Sequence, residues 1–319
     1  MNVPETSKIV YLDLNAWIDL AKIFYGQPSS LEKELLDNVL EASKNDKAIF
    51  PISLIHLSEA HCIANPQRRK KLVSFMVKLS EYYTLTPYWN KLQELEIKNL
   101  IFEKLGLPLI NIRNRFVGKG FSMLMGATPT ITSETMNAEE ITALNKELMR
   151  LLDDPETFIK LTTTIYSDFK KKQVSTVKEF ERISKNLKQY KDNNYRRKVF
   201  LTQNIVASIL PKVNKILIER NLPPSFCEEL FHAFDVDKFL DKLPTALCEY
   251  TLLFQRDQQS SRPIKVNDVA DIWHLTLAIP YSDIVVTERM WVGIAKNARL
   301  DKKCNTIMLF SINELNKYL

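Results

Sequence analysis

The sequence predicts an α/β fold, a central parallel sheet covered on both faces by helices and interrupted by a mainly α-helical insertion. Three observations carry this. Short β-branched runs alternate with helix-length periodic segments up to about residue 104, the same alternation resumes at about 263, and the stretch between shows helical periodicity with almost no strand signal. The chain therefore divides into 1–104 (first part of the sheet domain), 105–262 (helical insertion) and 263–319 (second part).

The first strand is Lys8-Ile-Val-Tyr-Leu-Asp13, buried by composition, after which Trp17, Leu20 and Ala21 take helical spacing. Leu31, Leu35, Leu36, Val39 and Leu40 mark the next helix, and Ala48-Ile-Phe-Pro51-Ile a second strand. Ser53 stands where it can cap a helix that carries Glu59 nearly two turns in. A helix with Arg68-Arg-Lys-Lys71 on its outer side leads to a third strand at Tyr82–Thr86, and residues 88–104 read as helix.

The insertion opens with a loop-like, glycine-bearing section at 118–129 and continues as helical runs broken near Pro155, Pro211, Pro223-Pro224 and Pro244. Its apolar positions, Phe158, Leu161, Ile165 and Phe169, then Val177, Phe180, Ile183 and Leu187, step by three and four as a packing face does. A helix from Lys265 to Ala278, a fourth strand at Asp283–Glu288, a helix at 289–298 and a fifth strand at Thr306–Phe310 complete one split domain.

The formal charge is +6, and the window 160–198 holds twelve Lys or Arg against four Asp or Glu, so this one segment exceeds the whole excess. Local basicity of that size fits a polyanion, with Lys170, Lys171 and Lys172 as backbone-binding candidates, although a solvated helix face produces the same run. Arg113 and Arg115 are further phosphate-binding candidates beside an equally simple reading as loop residues. Six glycines and no glycine-rich phosphate loop leave nucleotide-cofactor chemistry without support. Four scattered cysteines read as reduced, and the absence of an apolar leader or spanning run predicts a cytoplasmic protein with no membrane partner.

Asp13 and Glu288 each end a strand, while Glu59 and Asp271 sit on helices that would flank them. In a parallel sheet the strand ends and adjacent helices converge on one edge, where ligands bind. Taken alone Asp13 is more simply an N-cap than a catalytic acid, and Asp268 is sufficiently explained as a first-turn acid favoured by the helix dipole. Four converging carboxylates repel one another unless a cation joins them, and all-oxygen donors suit Mg²⁺ or Mn²⁺. Such a metal activates water and neutralises an attacked phosphodiester. A zinc site from His56, Glu59 and His61 is disfavoured because histidines five apart do not share a helix face. His274 and Trp273 read as core or supporting groups.

Taken together, Tyr-Leu-Asp13-Leu-Asn15, the segment Ser53 to Glu59, Asp271-Ile-Trp-His-Leu-Thr-Leu-Ala278 and Asp283-Ile-Val-Val-Thr287-Glu288 resemble the motifs of the PIN-domain nucleases. The resemblance covers 1–104 and 263–319. It implies a three-layer α/β/α sandwich and a Mg²⁺- or Mn²⁺-dependent nuclease acting on nucleic acid, RNA ahead of DNA, in the manner of toxins and defence effectors. It also implies Asp13, Glu59 and Asp271 as principal acids, Glu288 as the fourth where the family more often has Asp, and Asn15, Ser53 and Thr287 as supporting polar groups. Other readings stay open: a catalytically impaired PIN-like scaffold, or a structure-specific DNA nuclease with the insertion as an arch. The insertion itself suits a substrate lid, a nucleic-acid-binding cap, or a surface for a regulatory protein or a second copy.

Overall fold

The computed structural model describes residues 4, 6–164, 169–187, 189–231, 235–259 and 264–319, without the side chains of 162, 164, 169–173 and 187. Strand β1 (Lys8–Leu12) leads to α1 (Leu14–Tyr25), α2 (Ser30–Lys44), β2 (Ala48–Ile49), α3 (Leu54–His61), α4 (Pro66–Ser80), β3 (Tyr83–Leu85) and α5 (Trp89–Leu105). The central region holds α6 (Arg113–Phe116), β4 (Val117–Lys119), α7 (Phe121–Met125), α8 (Ala138–Leu152), α9 (Pro155–Thr164), α10 (Phe169–Leu187), α11 (Asn193–Asn204), a π-helical turn (Ile205–Ile209), α12 (Leu210–Glu219), α13 (Ser225–Leu230), α14 (Val236–Asp241) and α15 (Pro244–Asp257). Then follow α16 (Val266–Tyr281), β5 (Ile284–Val286), α17 (Arg289–Asn297), α18 (Leu300–Lys303), β6 (Ile307–Leu309) and a 3-10 turn (Ile312–Lys317).

The architecture is mixed α/β around a parallel four-stranded sheet in the order β2-β1-β5-β6. Val10, Tyr11 and Leu12 stand opposite Ile284, Val285 and Val286, and β5 pairs with β6 through Val286 and Leu309. Because β1 continues to β2 on one side while β5 continues to β6 on the other, the strand order reverses between β1 and β5. A crevice opens beyond the carboxyl ends of strands at such a point.

Side-chain alternation divides the core in two. Ile9, Tyr11, Val285 and Met308 face a layer containing α5, α15, α16 and α17. Val10, Leu12, Ile284, Val286 and Leu309 face α1, α2 and α4. Every β1 residue after Lys8 is buried, as befits a strand covered on both faces.

Three expectations are corrected here. The third strand, β3, does not join the parallel sheet, because it pairs antiparallel with β4, and a single bridge from Ile52 to Thr84 links it to the segment after β2. That strand β4, Val117-Gly-Lys119, lies in the section read as loop, where three residues containing a glycine display no periodicity. Gly120, which follows, has φ of +90° with the Asp153 carboxylate against it, so a Cβ would meet Asp153 Oδ1 at 2.6 Å. Nor does Pro211 break the helix. Leu210 N–H donates to Ile205 O, five residues back, and this wider turn accommodates a proline that has no N–H and would press on the carbonyl four residues before it.

Packing is continuous across the 104/105 boundary. Phe200, Leu201, Ile205, Leu247 and Leu252 of the central region share one core with Ile9, Tyr11 and Ile97, and α15 lies along both α16 and α5. Among the described residues no helix is long and apolar enough to cross a membrane.

Candidate functional site

The crevice at the β1/β5 switch point is where the sequence-predicted acids meet. Asp13 follows β1, and its N–H donates to Val286 O at 2.9 Å, which fixes it beside the end of β5. Its Oδ1 also accepts from Ala16 N–H at 2.9 Å, so Asp13 caps α1 and faces the crevice at once. Thr287 and Glu288 follow β5, with Glu288 preceding the first turn of α17. Glu59 comes from the last turn of α3 and Asp271 from the second turn of α16. All four acids line one cavity of about 320 Å³ together with Tyr11, Asn15, Asn267, His274 and Thr287, and among the described residues no Lys or Arg contributes to its wall. A second lobe of about 430 Å³ shares Asp13, Asn15, Thr287 and Glu288 and extends towards Phe310 and Ser311.

The electrostatics follow from that lining. Burial pushes the Asp13 carboxyl up to about 6, with the Glu288 charge adding to it, against the lowering effect of Ala16 N–H and Thr287. Burial raises Asp271 to about 7, opposed by the Trp291 hydrogen bond and reinforced by the charges of Glu59 and Glu288. The Tyr11 phenol is held well above its ordinary value by burial and then by the charges of Asp13, Glu59 and Asp271. Each acid has a local anchor. Trp291 Nε1 donates to Asp271 Oδ2 at 3.0 Å, Asn15 Nδ2 to Glu288 Oε1 at 3.2 Å, and His274 Nε2 stands 3.6 Å from Glu59 Oε2.

Among the described residues no three His, Cys, Asp or Glu side chains already stand in a metal-holding arrangement. Four carboxylates, two of them raised towards neutrality by burial, are nevertheless the donor type that a hard cation takes, and among the described residues the wall has no Lys or Arg.

Other predicted residues lie elsewhere. Ser53 is absent from the crevice wall; its Oγ accepts from His56 N–H at 3.1 Å as the cap of α3. Arg113 sits at the opposite edge of the sheet, paired with Asp283 at 3.4 Å just before β5 and donating to Ser7 O just before β1, so it fastens the amino ends of the strands rather than facing the crevice. Arg115 is exposed on the same short helix. The side chains of Lys170, Lys171 and Lys172 lie outside the described residues, but α10, which carries them, packs on α16. Its Val177 meets Ile55, Val269 and Trp273 next to the crevice helices. His56 is buried against Tyr11, and the two histidines near Glu59 diverge, as the five-residue spacing requires.

Sequence reasoning missed Tyr11 and Trp291 as members of the site. The available signal was a tyrosine amid an otherwise aliphatic strand and a tryptophan one helical turn after Glu288. Compared with family models, curated proteins and solved structures, the chain matches none of them.

Proposed function

We propose that the chain is a Mg²⁺- or Mn²⁺-dependent endonuclease of the PIN-like kind that hydrolyses phosphodiester bonds, with RNA the substrate favoured by the motif resemblance. The observation that carries the reading is the convergence of Asp13, Glu59, Asp271 and Glu288 on one cavity at the β1/β5 switch point, with no Lys or Arg in its wall among the described residues. These four carboxylates would hold the cation. Bound there, it supplies charge neutralisation and activation of a water for attack on phosphorus. Trp291 and Asn15 orient Asp271 and Glu288, Thr287 supports Asp13, and the floor of the crevice formed by Tyr11 and Leu275 is buried. Helices on both faces of the sheet agree with a three-layer sandwich. The basic run of α10 beside α16 supports a polyanion substrate, while a toxin or defence role in the cytoplasm rests on the motif resemblance alone.

One observation favours a second reading, a nucleic-acid-binding scaffold with impaired catalysis: Asp271 Oδ2 is already engaged by Trp291. Incubating the protein with labelled RNA and DNA, with Mn²⁺, Mg²⁺ or EDTA, separates the readings. Cleavage that requires the metal and vanishes in Asp13→Asn supports the nuclease. Binding without cleavage supports the scaffold, and full activity in Asp13→Asn overturns the site.

A further inference from the structure

His56 and Glu59 are one helical turn apart on α3, and Asp271 and His274 are one turn apart on α16; both acids and His274 line the cavity, and His56 is buried behind them. The two imidazoles stack, with ring centroids 5.0 Å apart and planes 25° apart. The Tyr11 hydroxyl bonds to both of them, to His56 Nε2 at 3.0 Å and to His274 Nδ1.

The direction of this chain of hydrogen bonds is set at its far end. Ser53 N–H can only donate, and it points at His56 Nδ1 at 3.1 Å, so that nitrogen carries no proton. Burial, followed by the neighbouring His274, holds His56 well below the usual imidazole range, so it is neutral and its proton is on Nε2. That N–H donates to the Tyr11 oxygen. The single phenolic proton is then left for His274 Nδ1, which must accept, and the His274 proton is directed to Nε2. This atom is buried, makes no hydrogen bond, and stands 3.6 Å from Glu59 Oε2, an electrostatic approach longer than a hydrogen bond.

We propose that Tyr11 and His56 are positioning residues that fix His274 as its Nε2–H tautomer, so that it turns a donor towards Glu59 and orients that carboxylate at the cavity wall. The role assigned to Glu59 rests on the metal-dependent reading above; the tautomer itself does not. A ligand carboxylate steered by an outer hydrogen-bond donor commonly loses about 10–100-fold in metal affinity when the donor is removed.

The test combines two readouts on the full chain. In metal-free, ¹⁵N-labelled protein, long-range ¹H–¹⁵N correlations of the imidazoles, assigned with His56→Gln and His274→Gln, report which ring nitrogen holds the proton. Nε2–H at both histidines is expected, and in Tyr11→Phe the fixed tautomer of His274 should give way to a mixture. Nδ1–H at His274 in the wild-type protein overturns the proposal without recourse to any variant. Calorimetric titration with Mn²⁺ supplies the second readout. His274→Leu should bind about 10–100-fold more weakly, while His274→Gln, which restores an N–H at the ε position, should recover most of the loss. Equal affinity in wild-type and His274→Leu overturns the role given to Glu59. If the wild-type protein binds no Mn²⁺ while both histidines show Nε2–H, the metal-dependent reading fails and the tautomer relay stands.

Discussion

The Arg256 guanidinium meets the Asp268 carboxylate at 2.9 Å with both side chains shut off from solvent, 0% and 1% exposed. Asp268 Oδ2 also accepts from Lys265 N–H at 2.7 Å, so one carboxylate caps α16 and binds it to α15. The sequence explains only the capping half. The ion pair joins the last helix of the central region to the helix that carries Asp271 and His274. Removing one partner deprives the other of this buried ion pair, so Arg256→Met or Asp268→Asn should cost up to about 3–5 kcal/mol in urea unfolding. Exchanging both for apolar residues should recover much of that loss, and a single replacement that costs less than about 1 kcal/mol would show that water reaches the pair.

Asp13→Asn, Glu59→Gln and Asp271→Asn should each abolish Mn²⁺-dependent cleavage. Without metal their thermal midpoints should equal or exceed that of the parent chain, because each change removes charge from a repelling group. A fall in midpoint together with loss of activity would mean that the variant had damaged the fold rather than the chemistry.

The raised carboxyls also make stability depend on pH in a defined direction. Asp13 at about 6 and Asp271 at about 7 bind protons more tightly in the folded chain than at their ordinary value of 3.8. Between 3.8 and about 7 the native state therefore holds more protons than the unfolded one, and the contribution of these groups to metal-free stability falls as pH rises through that window. Metal binding requires the ionised forms, so Mn²⁺ affinity should rise over the same interval and level off above it, as calorimetry at a series of pH values would register. Affinity independent of pH would remove Asp13 and Asp271 from the ligand set.

Replacing Lys170, Lys171 and Lys172 together with Ala should weaken nucleic-acid binding for every sequence alike. The dependence of log affinity on log salt should become shallower by about 0.7–0.9 for each phosphate that the variant no longer neutralises. An unchanged slope would leave the run as a solvated helix face.

A chain joining 1–104 directly to 263–319 should lack cooperative unfolding. Leu92, Ile97 and Ile101 of α5 and Leu275 and Leu277 of α16 are buried in a core shared with the central region. Baring them forfeits about 1.5–3 kcal/mol apiece, enough together to exhaust the stability of about 5–15 kcal/mol usual for a domain. A sharp calorimetric transition in the joined chain would show that the sheet closes without the central helices.

Strands β1, β5 and β6 were legible because long enough apolar runs stand between clear helices, and the acids at their ends were legible because parallel sheets present strand termini to ligands. Strand β4 was hidden by its brevity. The position of Arg113 was illegible for a different reason: a lone basic residue carries no address, and only its pairing with Asp283 and Ser7 O assigns it to the amino edge. Tyr11 could be read as buried, but periodicity says nothing of which imidazoles its hydroxyl will meet, since one of them comes from 263 positions away.

That separation has a temporal consequence. Strands β1 and β5 are neighbours in the sheet, yet the ribosome delivers them far apart in time. At roughly 5–20 residues per second, tens of seconds pass between the emergence of Tyr11 and that of His274. Throughout that interval Asp13 and Glu59 have no β5 beside them, and a loop of this length must close before the strands can pair, which makes assembly slow as well as late. Whatever chemistry the crevice performs is therefore silent in the nascent chain and begins only when β5 has emerged to complete it.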